Sequence, residues 1–457
     1  MSLKATTIAA ISTPLAVGGI GVIRISGNQA RQIASKVFAP VSSREICTVS
    51  GYTALYGRVF DQEGDIDDAV ATVFISPRSY TGEDVVELSC HGGLYLVQRV
   101  LRAVLNAGAV LAEAGEFTKR AFLNGKLSLT QAEAVMDLIS AQGEQAARSA
   151  LSTRDGVLFR KIAGITKGLL ETAAHLSAWV DYPDEEIPEI TDTEILTSLQ
   201  SVKMQLAQLL STFDVGRVIK EGVETAIVGR PNVGKSTLMN LLAGFQRSIV
   251  TDIPGTTRDI VEDTVNVGGA ILRLADTAGL RETDDVVESV GVELARKKLE
   301  TAGLILAVFD SSEKLSQEDM RLIESMKNRP AIAIINKSDL ERKIDADFIQ
   351  QNISHTVYTS AQSGQGVDVL AKTITDVLGL FHFDSSSAII ANERQRCCAQ
   401  RAKISVDEAL DALNSCFTFD AVNVCIDDAI AALLELTGER ASEAVVNEVF
   451  SNFCVGK

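Results

Sequence analysis

The chain has 457 residues, of which 46% are hydrophobic and 23% are charged, and its formal net charge is −17. A chain of this length has room for two or three domains with apolar cores, so we expect more than one domain. The acidic balance excludes a protein that coats nucleic acid non-specifically, because neutralising phosphates requires dense Lys and Arg. Any contact with RNA must therefore be local or shared with a partner.

The cysteines indicate the compartment. There are seven, scattered without CxxC spacing, which fits neither a disulfide framework nor a zinc site. They are Cys47, Cys90, Cys397, Cys398, Cys416, Cys425 and Cys454.

The N-terminus lacks a positively charged segment followed by a long apolar run, and no later stretch has the length of a membrane span. We expect a soluble protein in a reducing cytoplasm.

The first part of the chain, to about Phe117, consists of short β-rich runs broken by turns and followed by a helical run. The β-rich runs are TTIAAIST, GVIRIS, AVATVFISP and VVELSCHGG, and the helical run is LYLVQRVLRAVLNAG. Short strands combined with a helix in this way are typical of a compact α/β domain. We assign residues 1–118 to this domain.

The strand signal stops at Lys119, and a helical pattern replaces it. Apolar residues recur at three-to-four spacing from Leu127 to Val180 and from Glu194 to Lys220, which predicts packed amphipathic helices. Helical patterns return from Ala391 to Phe453.

Between the two helical segments, residues 221–380 alternate strand and helix signals over the length of one nucleotide-binding domain. The last helical segment is too short to bury a core by itself. We therefore predict one helical domain made from residues 119–220 and 381–457, with the nucleotide-binding domain inserted between its halves. The predicted fold class is multidomain, α/β combined with α.

The stretch GRPNVGKS, from Gly229 to Ser236, lies between a short apolar run and a helix-forming run. A GxxxxGK[ST] match in this context predicts a loop whose backbone N–H groups, with the following helix N-terminus, hold two phosphates. Lys235 would pair with the β and γ oxygens, and Ser236 would ligate Mg²⁺.

Three further motifs each follow a predicted strand. DTAG, from Asp276 to Gly279, supplies a carboxylate for the metal and a glycine near the γ-phosphate. NKSD ends in Asp339, which can accept the ring N–H and the exocyclic amine of guanine, a pair that adenine does not offer. After the next strand, a backbone N–H at Ser360 or Ala361 can meet the guanine oxygen. The four motifs in this order predict a Ras-like P-loop GTPase.

The residue after DTAG departs from the Ras-like pattern, because Leu280 cannot hydrogen-bond the attacking water as a glutamine does. Several acids in the following loop can act through a bridging water, and spacing does not choose among Glu282, Asp284, Asp285, Glu288 and Glu293. Asn232 in the phosphate loop either stabilises the turn or offers an amide oxygen to a monovalent cation. The segment TDIPGTTRD is the matching switch, and its Thr257 can complete the Mg²⁺ shell.

Motifs spread over the whole chain carry a family resemblance. They are GGIGVIRISG (18–27), YTGEDVVEL with CHGG (80–93), GEFTKRAFLNGKL (115–127), the GTPase motifs with GTTRD and DTAGLRE, and the ending FCVGK (453–457). Together these motifs closely resemble the tRNA-modification GTPases called MnmE or TrmE. The Cys-x-Gly-Lys ending is a mark of that family.

The resemblance implies an N-terminal domain that dimerises and binds a tetrahydrofolate, a helical domain from two segments, and an inserted GTPase domain. It implies Mg²⁺ and K⁺ at the GTP site and 5-formyl- or methylene-tetrahydrofolate as the one-carbon donor. A partner flavoprotein, MnmG or GidA, would bring FAD and NADH. Such proteins place an aminomethyl or carboxymethylaminomethyl group on C5 of the wobble uridine of certain tRNAs.

Matching by motif assigns roles to individual residues. The water-activating acid falls on Glu288, and Cys454 is a candidate functional cysteine. The folate positions are Arg24, Glu87, Lys126 and Lys457. The Mg²⁺ positions are Ser236 and Thr257, and the K⁺ positions are Asn232, Thr251, Ile253 and Thr256. The GTP-binding positions are Gly229, Asn232, Val233, Gly234, Lys235, Ser236, Thr237, Thr251, Thr256, Thr257, Asp276, Thr277, Ala278, Gly279, Asn336, Lys337, Asp339, Ser360 and Ala361.

A second function class has the same nucleotide motifs. Small bacterial GTPases also act as ribosome-assembly or RNA-binding switches, and these usually append a basic RNA-binding domain after the GTPase core. This chain instead continues into an acidic helical segment that ends in FCVGK. The sequence therefore favours a GTPase of tRNA modification over a ribosome-assembly switch.

Overall fold

Two sheets and a set of packed helices make up the described part of the chain. The structure is a computed structural model, and it describes residues 6–181, 192–244, 263–275, 302–380, 384, 386–415, 417–451 and 453–456. Strands and helices mix in residues 8–111 and 223–377, and the other described segments are almost wholly helical. The predicted class, α/β combined with α, is confirmed.

The first sheet has seven strands. They are β1 Ile8–Ile11, β2 Ile20–Ser26, β3 Phe38–Pro40, β4 Thr53–Asp61, β5 Gly64–Phe74, β6 Val85–His91 and β7 Val110–Leu111. Their order is β3-β4-β5-β6-β2-β1-β7. Neighbours run antiparallel except β1 and β7, which are parallel.

One face of this sheet packs on α1 (Ala30–Ser35) and α2 (Leu94–Asn106). Ile25 of β2 and Leu88 of β6 are fully buried there with Val100 of α2. Because side chains alternate along a strand, the intervening residues point to the opposite face. Arg24 and Glu87 are register partners on that opposite face.

A helical stretch follows the first sheet. Its members are α3 Glu116–Leu123, α4 Leu129–Ser140, α5 Glu144–Arg154, α6 Val157–Asp181, α7 Asp192–Leu210 and α8 Phe213–Glu221. The start of α4 is fixed by a capping box, in which the Ser128 hydroxyl accepts from the Gln131 N–H and the Gln131 side chain accepts from the Ser128 N–H. This reciprocal pair satisfies two donors that a helix start otherwise leaves without partners.

The second sheet has six strands in the order β13-β12-β11-β8-β10-β9. The strands are β8 Val223–Val228, β9 Asp263–Val267, β10 Ala270–Ala275, β11 Leu304–Asp310, β12 Ala331–Asn336 and β13 His355–Tyr358. All pairs are parallel except the β9–β10 hairpin. Ligands bind such sheets at the carboxyl ends of the strands.

Helices accompany this sheet, namely α9 Lys235–Gly244, α10 Gln317–Ser325, α11 Ala346–Asn352 and α12 Val367–Val377. Every residue of β11 and β12 is buried, as expected when both faces of a parallel sheet are covered. Alternate residues of β11 enter different apolar clusters: Leu306 packs with Leu370 of α12, and Ala307 packs in the cluster that holds Ile323 of α10.

The remaining helices are α13 Glu393–Asn414, α14 Phe419–Thr437 and α15 Glu443–Ser451. Ile162 of α6 and Leu199 of α7 are fully buried in the same cluster as Ala402 of α13 and Leu433 of α14. Helices that precede the second sheet in the chain therefore share one core with helices that follow it.

Candidate functional site

The loop between β8 and α9 passes very close to its neighbours at the carboxyl end of the second sheet. Gly229 has φ +150°, and a Cβ there would lie 2.3 Å from the Val308 carbonyl oxygen. Gly234 has φ +99°, and a Cβ there would lie 2.2 Å from Asn336 Nδ2. Only glycine fits such positions. The two glycines of the predicted phosphate motif are thus required by the backbone path.

Lys235 begins α9, and its ammonium group turns back over the loop. Its Nζ donates to the Gly229 and Arg230 carbonyls, each at 2.8 Å. Burial lowers the pKa of Lys235, and these two partners are neutral. A phosphate would supply the opposite charge, and the first N–H groups of α9 have no intrahelical acceptors. The residues present therefore fit a bound phosphate group.

Asn232 lies at the tip of the same loop. Its φ is +64°, a left-handed conformation that Asn adopts more readily than most residues. This geometry shows that Asn232 shapes the turn. Ligation of K⁺ by its amide oxygen stays a prediction.

Asn336, the first residue of NKSD, connects three loops. Its Nδ2 donates to the Val233 carbonyl at 2.9 Å, and its Oδ1 accepts from the Ala361 N–H at 2.9 Å. The Thr359 hydroxyl lies 3.4 Å from the same Oδ1. The side chain is buried, so Asn336 holds the phosphate loop and the two base-side loops in fixed relation.

Lys337 has an ion-pair partner that sequence reasoning missed. Its Nζ lies 2.5 Å from Asp310 Oδ2 at the end of β11. Burial opposes ionisation of Asp310, but bonds from Lys337 and Ser312 outweigh it and leave the pKa of Asp310 below its usual value. The only signal in the sequence was an acid at the end of the apolar run LILAVFD.

The base-side loops present two further polar groups. Asp339 is exposed, beyond the end of β12. Ser360 is 1% exposed, and its hydroxyl is among the buried side-chain oxygens that have no hydrogen-bond partner in the described structure. A buried hydroxyl without a partner is costly unless a ligand completes it. These groups fit a polar base between NKSD and Ser360.

Several predicted residues lie outside the described residues. They are Thr251, Ile253, Thr256, Thr257, Asp276, Thr277, Ala278, Gly279, Glu288 and Lys457.

A second polar site lies on the first sheet, where the Arg24 guanidinium meets several groups. Its Nε lies 2.8 Å from Glu87 Oε1, and its NH1 donates to the Gly456 carbonyl at 3.4 Å. The rings of Tyr80 and Phe117 each lie 5.5 Å from the guanidinium carbon. Arg24 and Glu87, predicted separately from motifs, are thus direct neighbours, and the two rings were not singled out from the sequence.

The C-terminal segment 453–456 is docked against this second site. The Gly456 carbonyl also accepts from the Ser12 hydroxyl at 3.1 Å, and the Cys454 carbonyl accepts from the Gly115 N–H at 3.3 Å. Gly456 has φ +96°, and a Cβ there would lie 2.2 Å from the Ile11 carbonyl oxygen. Cys454 itself is exposed. Backbone contacts therefore hold the tail beside Arg24.

Lys126 is attached to the loop that carries Tyr80, residues 76–84. Its Nζ donates to the Pro77 carbonyl at 3.1 Å. From α3, the Thr118 hydroxyl lies 2.9 Å from the Tyr80 hydroxyl, and Arg120 forms an ion pair with Glu83 at 3.2 Å. Lys126 and Arg24 thus contact the same loop, Lys126 at Pro77 and Arg24 at Tyr80.

The described residues contain neither a helix that could span a membrane nor a cluster of metal-binding side chains. None of the helices there is long and apolar enough to cross a membrane. No group of three or more His, Cys, Asp or Glu side chains in those ranges is arranged to hold a metal ion.

The fold and the first site define a class of protein. A parallel sheet carries a glycine loop closed by Lys235, and Asn336 connects that loop to the NKSD and Ser360 loops. This combination is that of a P-loop GTPase.

Comparisons with known proteins identify the family. Residues 129–454 match the model of the MnmE helical domain, and residues 7–126 match that of the GTP-binding protein TrmE N-terminus. The chain is 41% identical to the tRNA modification GTPase MnmE of Bacillus licheniformis, over 99% of this chain and 100% of that protein. It is 42% identical to that of Geobacillus kaustophilus, over 99% of each. The chain belongs to the MnmE family.

Among solved structures, the chain is similar to an Aquifex aeolicus Era variant bound to GDP.AlF4−. The two are 31% identical, with a TM-score of 0.28, and the match covers 40% of this chain and 66% of that one.

Proposed function

We propose that this chain hydrolyses GTP as a component of an enzyme that modifies the wobble uridine of tRNA. The observation that carries the proposal is a second built polar site in a GTPase chain, where the Arg24–Glu87 pair receives the Gly456 carbonyl. Neither the phosphate loop nor the base-side loops involve this second site, which lies on the first sheet. The relatives are named tRNA modification GTPases, and we assign the second site to the modification reaction.

In this proposal, GTP places its phosphates in the loop from Gly229 to Ser236 and its base at Asp339. Lys235 then exchanges its two carbonyl partners for phosphate oxygens. Ser236 and Thr257 would hold Mg²⁺, with the Asp276 carboxylate near it. When bound, the ion would supply positive charge opposite the phosphate oxygens.

Hydrolysis needs a positive charge beside the transferring phosphoryl group and an oriented water molecule. We assign the charge to K⁺, held by Asn232, Thr251, Ile253 and Thr256. Leu280 replaces the glutamine that orients this water in Ras-like GTPases, so another residue must take the role. We assign it to Glu288 on the motif match to the MnmE family.

At the second site, we assign Glu87 to the pterin edge of a tetrahydrofolate and Arg24, Lys126 and Lys457 to its anionic groups. When bound, 5-formyl- or methylene-tetrahydrofolate supplies the one-carbon unit. The part of this chain is to bind and orient that molecule, and the rings beside Arg24 hold the guanidinium in place. Cys454, exposed on the docked tail, is a candidate nucleophile.

The partners in this proposal are a second copy of the chain, paired through the first sheet's domain, and the flavoprotein MnmG or GidA. That flavoprotein contributes FAD and NADH. The complex acts on tRNA in the cytoplasm. Because tRNA phosphates are bound by Lys and Arg, the net charge of −17 supports a complex in which the flavoprotein provides most of the tRNA-binding surface.

The GTPase half of the proposal is tested by single-turnover hydrolysis in potassium or sodium, with native protein and Glu288→Ala. We expect sodium to support little hydrolysis. Glu288→Ala should keep GTP affinity and lose roughly two to four orders of magnitude in rate, the usual scale for a lost proton-transfer or water-orienting group. Glu324→Ala, an exposed acid on α10, is the matched control. Equal rates in both salts would contradict the potassium assignment, and an unchanged rate in Glu288→Ala would contradict its role.

A further inference from the structure

Helix α4 carries two acidic residues, both paired with cations, on one side. Glu133 and Asp137 are four residues apart and therefore lie on the same face. Glu133 is only 8% exposed. Two carboxylates at this spacing repel each other unless each has its own partner. Their partners are Lys220 near the end of α8, which leads into the second sheet, and Arg394 in the first turn of α13, which follows that sheet in the chain.

Asp137 is paired with the segment that leads into the second sheet. Its Oδ1 lies 2.8 Å from Lys220 Nζ, near the end of α8. Ile219 of α8 is buried in the apolar core of that sheet. At Gly222, a Cβ would lie 2.8 Å from the Ile271 carbonyl oxygen. Helix α8 is thus packed onto the sheet, and β8 runs from it directly to the phosphate loop.

Glu133 is paired with the first turn of α13, the helix that follows the second sheet in the chain. Arg394 contacts its two carboxylate oxygens at 2.7 and 2.9 Å, and Gln395 donates to the second of them at 2.8 Å. Arg394 also donates to the Glu435 and Leu436 carbonyls at the end of α14. The guanidinium is therefore held by α4 and α14 together.

Helix α8 also contacts the chain just before α13. The Ile390 N–H donates to the Thr212 hydroxyl at 3.1 Å, and a Cβ at Gly216 would lie 2.4 Å from the Ile390 carbonyl oxygen. The helices that supply Lys220 and Arg394 are therefore linked to each other as well as to α4.

Other residues of α4 face the C-terminal tail. Leu129 and Ala132 are fully buried in one cluster with Val446, Phe450 and Phe453. The next residue after Phe453 is Cys454, whose carbonyl is bound by Gly115. Helix α15 and the tail thus rest directly on α4.

An open pocket of about 320 Å³ lies between the acidic side of α4 and α15. Asp137, Lys220 and Arg394 line it together with Val449 and Phe453. Along this pocket the acidic side of α4 is not close-packed against α15.

We propose that α4 couples the nucleotide state of the GTPase sheet to the position of the Cys454–Gly456 tail at the second site. When the sheet moves, α8 displaces Lys220, and the partly buried Asp137 carboxylate is unfavourable without its cation. Helix α4 then shifts with Lys220 and displaces α15 and the tail. The coupling rests on the proposed function, in which the tail helps to form the second site, but it is measured without folate or tRNA.

The test removes one ion pair as a whole, so that no buried charge is left alone. In full-length Asp137→Leu/Lys220→Met protein, the rate of N-ethylmaleimide labelling is followed at each cysteine by mass spectrometry, with GDP and with GDP plus aluminium fluoride in potassium. Cys454 and Cys47 are both exposed, so Cys47 serves as an internal control. The exposed pair Lys167–Glu171 on α6 supplies the matched control variant, Lys167→Met/Glu171→Leu.

In native protein and in the α6 control, we expect the nucleotide to change the Cys454 labelling rate by at least about fivefold, the lower end of usual allosteric couplings. Cys47 should not respond. In the α4 variant, the change at Cys454 should fall below about twofold, while GTP affinity stays near native. A response of Cys454 that persists in the α4 variant, or no response in native protein, would overturn the proposal.

Two additions keep the result interpretable. If the double variant melts well below native protein, Asp137→Asn/Lys220→Gln, which also neutralises both partners and better preserves their side-chain shapes, replaces it under the same criteria. Calorimetric titration of 5-formyl-tetrahydrofolate into native protein tests the second site separately. Absence of folate binding beside an intact, α4-dependent Cys454 response would refute the folate assignment and leave the coupling established.

Discussion

At the scale of single residues, the GTP motifs divide into groups that hold the site and groups that are free to meet the ligand. The Asn336 amide is buried; its nitrogen donates to the Val233 carbonyl, and its oxygen accepts from the Ala361 N–H. Lys337 is paired with Asp310. Asp339, in contrast, is exposed at the same loop. Base selection therefore falls to Asp339, and Asn336 positions the loop.

Asp339→Asn should weaken GTP binding and favour xanthosine triphosphate. The carboxylate accepts two hydrogen bonds from guanine, and the amide turns one acceptor into a donor that matches the xanthine oxygen. A hydrogen bond to a charged group contributes about 1.5–3 kcal/mol, so the loss of one should lower GTP affinity roughly 10- to 150-fold. Fluorescence titration of the variant and of native protein with GTP and with xanthosine triphosphate measures both affinities.

The matched control is Asp347→Asn, an exposed acid on the neighbouring α11. It should bind both nucleotides as native protein does. GTP affinity that is the same in Asp339→Asn and in native protein would remove Asp339 from the base site.

At the scale of elements, α4 combines buried charge with apolar packing. Burial raises the pKa of Asp137 above its usual value, although Lys220 acts in the opposite direction. The ion pair therefore does not fully offset the cost of removing the carboxylate from water, as is common for buried pairs. Because the Asp137–Lys220 pair adds little stability, its rearrangement costs little, as a coupling element requires.

The raised pKa predicts how stability changes with pH. The contribution of Asp137 to stability is fully present below its unfolded pKa of about 4 and is lost as the pH rises through the higher folded value. Asp137→Asn mimics the neutral carboxyl group. The melting temperature of this variant, measured by calorimetry, should rise relative to native protein between pH 4 and pH 7.

Asp427→Asn on α14 is the control, because Asp427 is exposed. The difference in melting temperature between this variant and native protein should stay nearly constant with pH. If the melting temperature of native protein instead rose relative to that of Asp137→Asn as the pH increased, the bond to Lys220 would outweigh the effect of burial on the pKa of Asp137.

At the scale of the whole molecule, residues far apart in the chain meet at the second site. Ser12 and Gly456 are 444 positions apart and share a hydrogen bond. The positive φ of Gly456 and its approach to the Ile11 carbonyl leave no room for a side chain. The docked tail therefore depends on glycine at this position.

Gly456→Ala should release the tail from the second site and leave the GTP site intact. A Cβ would lie 2.2 Å from the Ile11 carbonyl oxygen, so the tail must move away from Arg24. Calorimetry should show 5-formyl-tetrahydrofolate affinity lowered at least about tenfold, as for the loss of one charge-assisted hydrogen bond. GTP affinity should be native.

Gly64→Ala is the matched control, since Gly64 also has a positive φ but has open space around it. Native folate affinity in Gly456→Ala would separate the tail from the folate site. A parallel loss of GTP affinity would show that the tail supports the whole fold instead.

The sequence predicted those features that depend on contiguous residues. The glycines of the phosphate loop and the strand before it follow from local chemistry, as does the resemblance that marked Arg24 and Glu87. The bond between Arg394 and Glu133 spans 261 positions, and that between Asn336 and Val233 spans 103. Such pairs follow from how the elements pack, and no spacing in the sequence reveals them.

The central claim, that this chain serves wobble uridine modification, is tested most directly by mass spectrometry of tRNA nucleosides from a strain without the gene. We expect the aminomethyl or carboxymethylaminomethyl group at C5 to be absent from wobble uridines. The native chain should restore it, and Lys235→Ala, which lacks the phosphate-loop ammonium group, should not. Wobble uridines that remain fully modified in the deletion strain would contradict the claim and favour a ribosome-assembly role.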